Sequence, residues 1–132
     1  MVHNCTTGKR QTAFSLMELL VVLVLIALLA AVVTPVVTNS IERARESTLK
    51  ENLFVMRKAI DDFYADRGEY PADLASLVEE NYLRRIPDDP ITERKQWKPI
   101  HAEGDNGGEV GIIDVRSESD KTSREGTPYN EW

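Results

Sequence analysis

One carboxylate stands where carboxylates are rare. Glu18 is the only charged residue in the apolar run 14–37. A charged side chain in a membrane-spanning helix costs about 2.5–3.5 kcal/mol at the centre and less near an end. A residue kept at that cost points to function, and the plainer alternative is a carboxylate that snorkels from the interface to water. Other chemistry-bearing groups are few. His101 is the only histidine outside the first residues, so a Ser-His-Asp triad has one available base. No serine sits in a nucleophile motif. There is no phosphate-binding GxxxxGK[ST] or GxGxxG loop and no Cys/His cluster spaced for zinc. The single cysteine, Cys5, cannot form an internal disulfide. The chain reads as a non-enzyme.

The elements that must position Glu18 follow from the charge and hydropathy pattern. The 132 residues amount to one domain's length. Sixteen basic and 22 acidic residues leave a net charge of −6, the opposite of a nucleic-acid binder's footprint. The mean hydropathy of −0.34 is that of a soluble protein, but it averages unlike parts. Residues 1–13 are polar and carry Lys9 and Arg10. The stretch 14–37 would span about 36 Å as a helix, and a bilayer core needs about 20 apolar residues. From Asn39 onward the chain is charged. The apolar run continues past Ala27, Ala30 and Ala31, too far for a cleaved secretory signal. Lys9 and Arg10 precede the span, whereas Glu42, Arg43, Arg45 and Glu46 balance after it. The positive-inside rule then puts the N-terminus in the cytoplasm and exports the C-terminal part.

Beyond the span, Ile41, Ala44, Thr48, Leu49, Leu53, Met56, Ala59, Ile60 and Phe63 recur every three or four residues, an amphipathic stripe. One helix is expected from about Ser15 to about Asp66, stopped by Gly68. Pro35 lacks an N–H for the carbonyl of Ala31, so a kink or loosening is expected there. Asp73 should cap a short helix with Leu74, Leu77 and Val78 on its apolar face. Strands at 97–101 and 110–115 should flank a turn at 103–108, with Ile112 and Ile113 contributing to a sheet packed on the helix. The tail 117–132 is polar, with Trp132 folding back on the core. The part 41–48 of the stripe is expected to meet neighbouring subunits, because little chain is left to cover it.

The segment Phe14-Ser15-Leu16-Met17-Glu18, behind a basic leader, resembles the class III signal of type IV pilins and type II secretion pseudopilins. The resemblance implies cleavage between Ala13 and Phe14, N-methylation of Phe14 and a role for Glu18 in assembly. Pro35 falls where that family often has proline. The residue before the cut is almost always glycine in the family, and here it is Ala13. A freed Phe14 ammonium could pair with Glu18, its own or a neighbour's, strongly in low dielectric. The run Tyr70-Pro71, Tyr82-Leu83 and Ile86-Pro87-Asp88-Asp89-Pro90 is similar to the major pseudopilins of type II secretion, although Ile91-Thr92-Glu93-Arg94 then departs from them.

The resemblance implies an α+β pilin-like fold, with a long N-terminal helix packed on a small antiparallel sheet. It divides the chain into a leader at 1–13, a transmembrane helix half at 14–37 and a periplasmic globular domain at 38–132. It implies a subunit of a type II secretion pseudopilus, anchored in the inner membrane. Its expected partners are copies of itself, a prepilin peptidase, the inner-membrane assembly platform, minor pseudopilins and membrane lipid, with no nucleic acid. It also implies calcium in the C-terminal loop, where Ser117 and Asp120 match family positions; a solvated polar loop is the alternative. A type IV or competence pilin, or a monomeric membrane-anchored binding module, are the other functions the sequence leaves open.

Overall fold

The computed structural model describes residues 1–3, 8 and 13–132. Cys5 and the basic pair Lys9 and Arg10, on which the expected orientation rests, lie outside them, as does most of the expected leader. The chain divides into two units, Met1–Asn39 and Ser40–Trp132, and the long helix α1 (Leu16–Arg67) contributes to both.

In the first unit every described side chain of α1 is exposed, among them Leu29 at 69%. Its leucines and valines have no protein to cover them, and the segment is long and apolar enough to cross a membrane. Helical backbone continues on both sides of Pro35. The hydroxyls around the proline turn back on the helix: Thr34 Oγ1 donates to the carbonyl of Ala30 at 2.8 Å, and Thr38 Oγ1 to that of Thr34 at 3.0 Å. A bilayer offers no water to polar groups, so internal bonds of this kind suit a spanning helix.

The second unit is built on the C-terminal half of α1. Burial of the stripe begins at Leu49 and continues through Leu53, Met56, Ala59, Ile60 and Phe63. These pack with Leu77, Leu83, Trp97, Ile112, Val115 and Tyr129 into one core. Ile41, Ala44 and Thr48 stay exposed. Gly68, at φ 72°, ends α1 with its N–H on the Tyr64 carbonyl, a left-handed stop that glycine takes at no steric cost. Asp73 caps α2 (Leu74–Glu79), and its carboxylate accepts from the Ser76 N–H at 2.7 Å. Bonds from the Ser76 hydroxyl and N–H hold that carboxyl below its ordinary pKa.

Strands β1 (Trp97–Glu103) and β2 (Glu109–Ser117) form a two-stranded antiparallel sheet, with Trp97 opposite Ser117 and Pro99 opposite Val115. Both strands run longer than the sequence pattern suggested. The expected α+β architecture holds, and one detail changes. Ile112 is buried whereas Ile113 is exposed, because adjacent residues of a strand point to opposite faces. Ser117 is the last residue of β2, not the start of a polar tail, and Ser117, Ser119 and Ser123 are all buried. The chain closes with the one-turn helix η1 (Tyr129–Glu131).

Candidate functional site

The amino-terminal segment is arranged around Ser15. Its hydroxyl accepts from the N–H of Glu18 at 3.1 Å, and its carbonyl from the N–H of Leu19 at 3.1 Å. Ser15 is therefore the N-cap of α1, and the Ser-x-x-Glu spelling of a capping box announces it. Ala13 and Phe14 lie ahead of the cap, outside the helix, and both are exposed. A peptide bond in exposed, non-helical backbone can be gripped by a protease; one inside a helix cannot. Glu18 sits in the first turn of α1, where the helix dipole favours negative charge. Its carboxylate is exposed and is not needed for the cap, which uses its backbone N–H. Ala13 and Phe14 thus lie just ahead of the cap and Glu18 in the first turn behind it, and Pro35 is several turns further along.

The carboxy-terminal loop forms a second locus. Ser123 and Thr127 close its tip: the Ser123 N–H donates to the Thr127 carbonyl at 2.7 Å, and their hydroxyls meet at 2.9 Å. The Tyr129 N–H returns to the Lys121 carbonyl at 3.0 Å. Two side chains of α1 bind this loop down. Glu46 Oε1 accepts from the Arg124 N–H at 3.0 Å and from the Tyr129 hydroxyl at 2.9 Å. The Arg124 N–H holds the Glu46 carboxyl below its ordinary pKa, while burial, helped by Glu46, pushes the Tyr129 phenol up to about 12. Arg57 spans the other side, donating to Asp114 Oδ1 at 2.6 Å, to the Val115 carbonyl at 3.1 Å and to the Trp132 carbonyl at 2.8 Å. Trp132 folds back as the sequence suggested. It packs edge-on against Tyr129 at 5.0 Å, its indole N–H donates to Thr127 Oγ1 at 2.8 Å, and Lys50 lies over its ring.

Asp89 supports the loop's entry. Fully buried, it accepts from the N–H groups of Ile91 and Thr92 at 2.8 and 3.3 Å and from the Ser117 hydroxyl at 2.5 Å. The first pair makes an Asx turn across Pro90, a local signal legible in Asp-Pro. Sequence reasoning missed Asp89, Glu46 and Arg57 as organising residues. The two residues expected to take calcium differ in their surroundings. Ser117 Oγ is committed to Asp89 and to the Ser119 N–H at 3.2 Å, and Asp120 is exposed. Among the described residues no group of three or more His, Cys, Asp or Glu could hold a metal.

Comparison with known proteins follows the same two parts. The prokaryotic N-terminal methylation motif matches residues 8–34, a span that includes Ala13, Phe14 and Glu18. The type II secretion system core protein G of Klebsiella pneumoniae is 31% identical over 98 residues, covering 62% of this chain and 70% of that protein. The core protein G of Vibrio cholerae is 28% identical over 122 residues, covering 81% and 79% respectively. That of Pectobacterium carotovorum is 29% identical over 127 residues, covering 84% and 77%. No solved structure matches the chain.

Proposed function

We propose that this chain, which belongs to the type II secretion system core protein G family, is a structural subunit of a type II secretion pseudopilus and has no catalytic activity of its own. The observation that carries the reading is the amino-terminal segment. An exposed, non-helical Ala13–Phe14 bond stands directly before a capped apolar helix, inside the stretch that matches the methylation motif. A prepilin peptidase cuts that bond, and the new amino group of Phe14 is methylated. The apolar part of α1 holds the subunit in the inner membrane, with the N-terminus cytoplasmic and the 38–132 domain periplasmic.

Glu18 then acts in assembly. Cleavage creates an ammonium at Phe14, and the dielectric of a bilayer makes its pairing with a carboxylate far stronger than in water. A Glu18 that recruits a neighbour's N-terminus sets the register of helices that otherwise offer only Leu, Val and Ala to one another. Exposed Ile41, Ala44 and Thr48 continue the apolar stripe beyond the membrane and fit contact with adjacent copies. The remaining partners are the inner-membrane assembly platform and minor pseudopilins.

The test uses Glu18→Ala. The cap of α1 needs only the backbone N–H of residue 18, so the helix start survives the substitution. Insertion should be at least as favourable, because the span becomes more apolar. The variant is expected at wild-type level in the membrane fraction and absent from sheared filaments. Full assembly by Glu18→Ala would overturn the charge-pairing role.

A further inference from the structure

We propose that the C-terminal loop of this chain is closed by its own side chains and takes no calcium ion. The proposal concerns the second unit alone and does not rest on the filament reading. Calcium needs six to eight oxygen ligands at about 2.3–2.6 Å, and the residues available at the expected position do not fit one. Ser117 is fully buried at the end of β2, its hydroxyl donating to Asp89 and accepting from the Ser119 N–H. That hydroxyl belongs to a closed hydrogen-bond chain running from the Asp89 turn to the loop. Turning it toward an ion would break the chain inside the core. Asp120 is exposed, and among the described residues no group of three or more His, Cys, Asp or Glu could hold a metal.

An ion in such a loop cross-links backbone that is distant in sequence. Here that work is already done by protein groups. Glu46 directs a carboxylate at the loop, and it faces donors: the Arg124 N–H and the Tyr129 hydroxyl converge on the same oxygen. A carboxylate oxygen receiving two hydrogen bonds has its negative charge met where an ion would otherwise compete for it. Arg57 puts a fixed positive charge on the other side, against Asp114 and the carbonyls of Val115 and Trp132. Those carbonyls are hard oxygen ligands of the type calcium would use, and the guanidinium holds both. The chain thus carries a cation of its own where the loop meets α1.

The experiment uses the full chain in detergent, with thermal unfolding followed by circular dichroism in calcium, in magnesium and in EGTA. The three midpoints are expected to coincide. Terbium, the luminescent calcium substitute, is expected to give no tryptophan-sensitised emission, although Trp132 sits in the loop. A midpoint raised by calcium and restored by EGTA would overturn the proposal, as would saturable terbium emission displaced by calcium. Glu46→Ala should lower the midpoint by about 4–8 °C, equally with calcium and with EGTA, whereas Asp120→Ala should leave it unchanged. If Glu46→Ala does not accumulate as folded protein, Tyr129→Phe removes one of the two bonds and should give a smaller loss, again indifferent to calcium. A wild-type midpoint in both variants would overturn the clasp.

Discussion

Replacing Asp89 by alanine should be among the most damaging single changes to the second unit. The side chain is fully buried and accepts three hydrogen bonds, from the N–H groups of Ile91 and Thr92 and from the hydroxyl of Ser117. Ile91 and Thr92 are partly exposed, so water can recover some of what their N–H groups lose. Ser117 is fully buried, and its hydroxyl has no such recourse. A buried donor stripped of its acceptor costs about 1–3 kcal/mol. With the loss of the Asx turn across Pro90, the total comes to about 2–4 kcal/mol. At about 4–8 °C per kcal/mol for a domain of this size, the melting midpoint should fall by at least about 8 °C. Asp89→Asn keeps one acceptor for the turn and should cost roughly half as much. Ser117→Ala combined with Asp89→Ala should cost less than the two separate losses together, since each alone orphans the other's group. Circular dichroism melts of the wild type and the four variants in detergent supply the comparison. A loss under about 0.5 kcal/mol for Asp89→Ala, the level of an ordinary surface change, would refute the reasoning.

The Glu46 clasp should carry a pH signature. Its folded pKa lies below the ordinary 4.5, so its contribution is present above that value and lost as pH falls through the folded pKa. The gap in melting midpoint between wild type and Glu46→Gln should hold from neutral pH down to about 4.5 and close below it. At the other extreme the Tyr129 phenol is pushed up from 10 to about 12, so its contribution should persist to pH 10 and fade between those two values. Gly111→Ala should cost more than Gly107→Ala. Both glycines have positive φ, which costs a side chain about 1–2 kcal/mol, but a Cβ at Gly111 would also lie 2.9 Å from the carbonyl oxygens of Tyr70 and Pro71, whereas Gly107 faces open space. Chemical denaturation of the two variants should rank them in that order.

The parts of this architecture visible in the sequence are those governed by local rules. A sustained apolar run followed by a three- and four-residue stripe marks α1, and Gly68 and Asp73 mark its end and the next helix's start by their own conformational and capping preferences. The Ser15 cap was spelled out in Ser-x-x-Glu and could have been found. The Asx turn at Asp89 was local too. Its bond to Ser117 was not, nor were those of Glu46 to Arg124 and Tyr129 or of Arg57 to Trp132. These pairs stand far apart in sequence, and no periodicity brings them together. Polar residues that look like a solvated tail, Ser117, Ser119 and Ser123, are buried with their hydroxyls bonded, Ser117 to the distant Asp89, Ser119 to the nearby Lys121 N–H and Ser123 to Thr127.

The most direct test of the central claim is the intact mass of this protein recovered from filaments sheared from cells that produce it with its secretion system. The account predicts that the protein is present in that fraction. It also predicts a mass that begins at Phe14 with one added methyl group. Protein confined to the membrane fraction, or filament protein that still begins at Met1, would contradict it.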